Sequence, residues 1–123
     1  MLYQDCEIIA HRVRVAGKPY KFIFGFPRGG LVPAVILSHL LDTPLITDLV
    51  GKDASEVLFV DDICDTGQTI IDFENKIKGE IDVATLILSS RAGYLPKIYS
   101  RTSSPNEWIV FPWETLETSK KDN

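Results

Sequence analysis

The sequence predicts an α/β domain built on an open, mostly parallel sheet with helices on both faces. Three short apolar runs carry that expectation, at residues 21–26, 57–60 and 83–88. Each is rich in β-branched or aromatic residues and lacks polar alternation, as strands buried on both faces of a parallel sheet do. Helical patterns lie between them, and this alternation of strand and helix is what right-handed βαβ units produce.

Residues 2–15 admit either a helix or an early strand. Residues 21–26 form the first strong strand. Residues 31–41 read as a helix, apolar at most positions and opening after Gly29-Gly30, with Pro33 tolerated in its first turn. A weaker strand lies around residues 45–47. Residues 57–60 give the second strong strand. The next helix spans residues 68–78, with Ile70, Ile71, Phe73 and Ile77 at mostly helical spacing and Gly79 as its stop. Residues 83–88 give the third strong strand. From 91 to 107, Gly93, Pro96, Pro105 and several serines predict loop.

A chain of 123 residues fits one compact domain spanning 1–123. Its 45% hydrophobic and 24% charged residues are ordinary for a soluble globular protein. The core is small enough that a neighbouring subunit is expected to add cover, as a homo-oligomer, either dimer or tetramer. A net charge of −4 argues against a nucleic-acid partner, which needs clustered Lys and Arg. Cys6 and Cys64 match no zinc or redox spacing and read as free thiols of a reducing cytoplasm. His11 and His39 have no metal-ligand partner at i+4. No signal-peptide pattern opens the chain, and no apolar run approaches the ~18 residues of a membrane span. A cytoplasmic protein without a membrane contact is expected.

The chemistry concentrates after the second strong strand. Asp61 and Asp62 end the apolar run, and Asp65-Thr-Gly-Gln-Thr69 leads into a helix. Ligands of open α/β sheets sit beyond the carboxyl ends of the strands. Adjacent carboxylates suit the cis hydroxyls of a ribose and a hydrated Mg²⁺, which takes oxygen ligands and keeps waters. Thr66, Gly67 and Thr69 offer hydroxyls and open backbone N–H groups at a helix N-terminus, which suits a phosphate. Carboxylates beside a phosphate site make sense together when the ligand is a magnesium-bound sugar diphosphate. Taken singly, Asp65 or Thr66 is an N-cap worth about 1 kcal/mol, and Gly67 a turn residue. Capping does not account for three acids, a Thr-Gly and a second Thr within nine residues.

The stretch 57–69 resembles the signature of the type I phosphoribosyltransferases for 5-phosphoribosyl-1-pyrophosphate (PRPP). Phe26-Pro-Arg-Gly-Gly30, after the first strong strand, resembles the pyrophosphate loop of that family. Its glycines allow close backbone approach, and Arg28 adds a fixed charge. The stretch 107–114, Glu-Trp-Ile-Val-Phe-Pro-Trp-Glu, is similar to the C-terminal segment of xanthine-guanine members. Asp61-Asp-Ile-Cys-Asp65 also matches an acidic pattern of prenyl-diphosphate enzymes, but that pattern lies on long helices and not after a β-branched run.

The resemblance implies the type I fold with a small C-terminal hood that binds the base. It implies a magnesium-dependent glycosyltransferase of purine salvage, moving the phosphoribosyl group of PRPP to guanine, xanthine or hypoxanthine and releasing pyrophosphate. On that carry-over Asp61 and Asp62 hold the ribose hydroxyls and magnesium, while Thr66, Gly67, Gln68 and Thr69 cradle the 5′-phosphate. Arg28, Gly29 and Gly30 bind pyrophosphate. Asp65 binds beside the ribose and is the general base at purine N7. Trp108 stacks on the purine, and Ile109 meets its edge through the backbone. The sequence departs from the family at two places. Ser89 stands where a Lys reads the purine 6-oxo group, unless Arg91 reaches in. The long covering loop before the acidic strand shrinks to residues 47–56, with Lys52 its sole cation. The short loop implies slow turnover or cover from a neighbour, or else a non-catalytic PRPP- or nucleotide-binding regulator on the same fold.

Overall fold

A computed structural model describes residues 2–103. Five strands, β1 (Phe22–Gly25), β2 (Leu45–Ile46), β3 (Val57–Cys64), β4 (Asp82–Ser89) and β5 (Ile98–Ser103), form one sheet in the order β2-β1-β3-β4-β5. All four pairings are parallel. Three helices surround it: α1 (Leu2–Ala16), α2 (Leu31–Leu41) and α3 (Gln68–Ile77).

The first segment is a helix. Cys6, Ile9, Ala10 and Val13 are buried at intervals of three and four residues, the spacing of one helical face. That face and Ala34 and Leu37 of α2 pack on one side of the sheet, against Ile23, Leu58, Val60, Ala84 and Leu86. Ile70 and Phe73 of α3 cover the other side with Phe26, Val57, Phe59 and Val83. Alternate residues of β3 thus feed opposite cores, as the two-residue period of a strand requires.

Phe59 is the centre of the second core. It has no exposed surface, and its ring lies 5.4–5.7 Å from those of Phe24, Phe26 and Phe73. Phe59→Ala should lower unfolding free energy by about 3–5 kcal/mol, measured by urea denaturation.

The expectation of loop from 91 to 107 is corrected by β5. Ile98–Ser103 pairs in parallel with β4, from Ala84↔Ile98 to Ser89↔Ser103. Its sequence, IYSRTS, has one strongly apolar residue; among the described residues it lies at the sheet's edge, with β4 as its one strand neighbour. A second correction concerns the acids. β3 does not stop at Val60 but runs to Cys64, with Asp61 opposite Thr85 and Ile63 opposite Ile87. Asp61 and Asp62 are therefore strand residues. The hood, with Trp108 and Ile109, lies outside the described residues.

Candidate active site

The chain order reverses direction across the sheet between β1 and β3, and a crevice at such a point is where open α/β sheets bind ligands. A cleft of about 270 Å³ occupies it, lined by Pro27, Arg28 and Gly29 after β1 and by residues 61–70 of β3 and α3. Nearly all the residues nominated for the sugar diphosphate meet there: Arg28, Gly29, Asp61, Asp62, Asp65, Thr66, Gly67, Gln68 and Thr69.

Gly30 does not line the cleft. It is buried, its carbonyl accepts from the Ala34 N–H at 3.0 Å, and a Cβ there would collide with the Val60 carbonyl oxygen. Its lack of a side chain lets the loop lie against the backbone of Val60 and Phe26. The Pro27–Arg28 peptide is cis.

Gly29 sits directly over Asp62. A Cβ on it would lie 2.5 Å from the Asp62 Cγ and 2.7 Å from Oδ1. Asp62 is 6% exposed, and its Oδ1 accepts from the Ile63 N–H at 2.7 Å. Asp61 is half-buried and accepts from the Asp62 N–H at 2.9 Å. The loop 27–30 and the acidic strand are thus packed as one unit.

At the start of α3, Gly67 has φ +86°, the left-handed region that glycine adopts at little cost. A Cβ there would also strike Tyr94. The Thr66 hydroxyl accepts from the Gln68 N–H at 3.2 Å, and the Thr66 carbonyl accepts from the Gly93 N–H at 2.9 Å. Thr66, Gln68 and Thr69 are exposed to the cleft.

Asp65 is held by a partner 26 residues away. Arg91 Nε donates to its Oδ1 at 3.2 Å and a terminal guanidinium nitrogen to its Oδ2 at 2.5 Å. Ser89, at the end of β4, is buried, and its hydroxyl accepts from the Arg91 N–H at 3.2 Å. A second cleft, about 620 Å³, opens beside it, lined by residues 88–90 and 92–95 and by Thr102 and Ser103. Sequence reasoning did not find the Gly29–Asp62 contact or the packing of Tyr94 on Gly67. Arg91 carried a signal, as the one cation near the position of the missing Lys.

The segment 47–56 does not cover the cleft. Leu49 and Ala54 pack into the α3-side core, and Lys52 lies 5.3 Å over the ring of Phe22, at the opposite end of β1.

Cys64 lies under this site, its thiol donating to the Tyr94 carbonyl at 3.6 Å. Burial, then the charges of Asp61 and Asp65, push its pKa up to about 11. Burial and Asp5 push Cys6 up to about 12. Both thiols should stay protonated at pH 8 and resist iodoacetamide until the chain is unfolded, which mass spectrometry of the alkylated protein would report.

The chain shares 31% identity with a purine phosphoribosyltransferase of Pyrococcus horikoshii, over 94% of this chain and 90% of that one, with a TM-score of 0.75. The chain belongs to the purine phosphoribosyltransferases. Two xanthine-guanine phosphoribosyltransferases agree in sequence. That of Nitratidesulfovibrio vulgaris is 27% identical over 93% of this chain and 80% of its own length. That of Desulfotalea psychrophila is 29% identical over 93% and 82%. No protein-family model matches the chain. The type I phosphoribosyltransferase fold and its enzyme class, the pentosyl-transferring glycosyltransferases, follow from this membership. Among the described residues no helix is long and apolar enough to cross a membrane.

Proposed function

We propose that the chain transfers the 5-phosphoribosyl group of PRPP to a 6-oxopurine, guanine, xanthine or hypoxanthine, in a magnesium-dependent reaction. The observation that carries this reading is the cleft itself. It brings a cationic glycine loop, two strand carboxylates and a helix N-terminus around one space.

The 5′-phosphate lies at the start of α3, against the first-turn N–H groups that have no intrahelical partner. Thr66, Gln68 and Thr69 supply further donors. Asp61 and Asp62 accept from the ribose hydroxyls. Arg28 and the backbone at Gly29 meet the pyrophosphate, where negative charge builds as the bond to the sugar breaks. The purine N9 forms the new bond to the anomeric carbon, and pyrophosphate leaves with the electron pair. The proton on N7 passes to Asp65. Trp108 and Ile109, outside the described residues, are assigned to stacking and the base edge.

The donor set suits magnesium. No group of three or more His, Cys, Asp or Glu side chains is poised for a metal among the described residues. Magnesium commonly takes one or two carboxylates and completes its shell with substrate phosphates and water. Asp61 and Asp62 would hold it, and its charge would offset that of the pyrophosphate.

The assay is pyrophosphate release from PRPP and Mg²⁺ with guanine, hypoxanthine, xanthine, adenine, orotate and uracil. Release with the 6-oxopurines, lost on adding EDTA, is expected. No release with any base, while PRPP still binds, would sink the transferase reading. It would leave the second reading, a PRPP- or nucleotide-binding regulator, which draws on the placement of Lys52 and segment 47–56 away from the cleft. We also propose that 1–123 acts as one domain within a homo-oligomer, supported by exposed Leu31, Val32 and Val35 on the otherwise apolar α2. A cytoplasmic setting is supported by two free cysteines.

A further inference from the structure

Tyr94 stands between the two clefts. It lines the second, and it packs on Gly67, which lines the first. Three contacts join this part of the chain to the start of α3. The Cys64 thiol donates to the Tyr94 carbonyl at 3.6 Å, and the Gly93 N–H donates to the Thr66 carbonyl at 2.9 Å. A Cβ on Gly67 would lie 3.2 Å from the Tyr94 nitrogen and would collide with the Tyr94 Cβ.

The Tyr94 side chain packs against the core that holds Phe59 and Ile70. Its hydroxyl donates to Glu74 of α3 at 3.4 Å, and the same carboxylate oxygen accepts from the Ile81 N–H at 3.0 Å. One residue thus meets α3 at its N-cap, Gly67, and again at Glu74.

The start of α3 needs such support. Gly67 caps the helix without a side chain, and the first turn carries no acid. Glycine loses more backbone freedom on ordering than any other residue. A local bond is made by the Thr66 hydroxyl, which accepts from the Gln68 N–H at 3.2 Å. Further support comes from Gly93 and Tyr94. The other wall of the cleft has its own support, because Gly29 lies against Asp62 of β3.

We propose that Tyr94 is the positioning residue of the phosphate wall, setting the Thr66–Gly67 backbone so that the first-turn N–H groups of α3 converge on one phosphate. The proposal rests on the phosphate-binding part of the transferase reading. Tyr94 has no part in holding the 27–30 wall. Its hydroxyl contact is at the long end for a hydrogen bond, so the ring carries the brace. A loop ordered beforehand binds more tightly than one that must order around its ligand. Ordering the backbone of a single residue on binding costs about tenfold in affinity.

The test is calorimetric binding of two probes to the whole chain. Ribose 5-phosphate presents a sugar phosphate alone, and magnesium pyrophosphate presents the other group alone. Tyr94→Ala should weaken ribose 5-phosphate about tenfold or more, and shift pyrophosphate by less than ~3-fold. Tyr94→Phe, which keeps the ring, should hold both affinities within ~3-fold of the unmodified chain. General destabilisation does not produce a loss at one wall that phenylalanine rescues. Should Tyr94→Ala show no cooperative melting, Tyr94→Leu, which fills the core without the ring, decides by the same two affinities.

Equal weakening of both probes, or ribose 5-phosphate binding that Tyr94→Ala leaves unchanged, overturns the proposal and leaves Tyr94 a core residue. An unmodified chain that does not bind ribose 5-phosphate overturns it too. A chain that releases no pyrophosphate from PRPP, yet binds ribose 5-phosphate in a Tyr94-dependent way, separates the cases. The brace then stands and the transferase reading falls.

Discussion

Asp65→Asn should slow turnover by roughly 10²–10⁴-fold, the usual contribution of a positioned general base, while PRPP binds about as tightly as before. Asparagine keeps the size and one acceptor oxygen of the aspartate, so the wall of the cleft is preserved. What it loses is the ability to take a proton, the step proposed for Asp65. The ion pair with Arg91 is lost too, and that offers a rival cause, in which the carboxylate acts only by holding the guanidinium. The two causes part on a second variant. If Asp65 is the proton acceptor, Asp65→Asn lowers the rate far more than Arg91→Gln, whereas a carboxylate that only holds the guanidinium makes the two losses equal. Steady-state rates of both variants with hypoxanthine, beside PRPP affinity by calorimetry, make the comparison. Equal loss of rate and PRPP affinity in Asp65→Asn would show that Asp65 holds the sugar and moves no proton.

Gly29→Ala should be the other severe variant. The added methyl falls on the Asp62 carboxylate, 2.5 Å from Cγ. Asp62 cannot easily turn away, being buried and accepting from the Ile63 N–H. Either the loop lifts off β3 or the carboxylate leaves its place, and each moves one wall of the cleft against the other. Displacements near 1 Å in a reaction of positioned groups cost about 100-fold in kcat/KM. Overpacking at such a contact also costs about 1–3 kcal/mol of stability. Asp62→Ala removes the obstructing carboxylate. The double variant should therefore melt close to Asp62→Ala alone, well above the sum of the two losses. Strictly additive losses in melting temperature would place the methyl's clash elsewhere.

Much of the candidate site is legible in the sequence, and what is not has identifiable physical causes. Residues 57–69 announced themselves because strand, acids, glycine and helix start fall within one short stretch, so local chemistry and local structure coincide. Gly29 was legible as a close approach, but to a ligand anion. Its nearest obstacle is Asp62, 33 positions later, and no spacing rule connects them. Arg91 and Asp65 are separated in the same way, brought together only by the packing of the turn after β4 on the start of α3. The end of β3 was misplaced because polar residues end an apolar run without ending a ladder. Backbone pairing with β4 continues past the acids. β5 went unseen for a related reason: an edge strand such as IYSRTS takes its register from the neighbour and carries little apolar signal of its own. The first helix shows the converse. Its buried positions have a helical period, but choosing helix over strand there needed the sheet face on which they close.

The continuation of β3 through Asp61 and Asp62 has a consequence for how the protein fails. Leu58, Phe59 and Val60 are wholly sequestered and paired with β1 and β4, and the acids follow them in the same strand, paired with β4. Segments of that kind open to hydrogen exchange only when the whole domain does, whereas surface loops exchange through local fluctuations. The amides of residues 58–60 should then rank among the slowest to exchange. Heating should leave the acids in register until the cooperative transition, so that inactivation and melting follow a single curve.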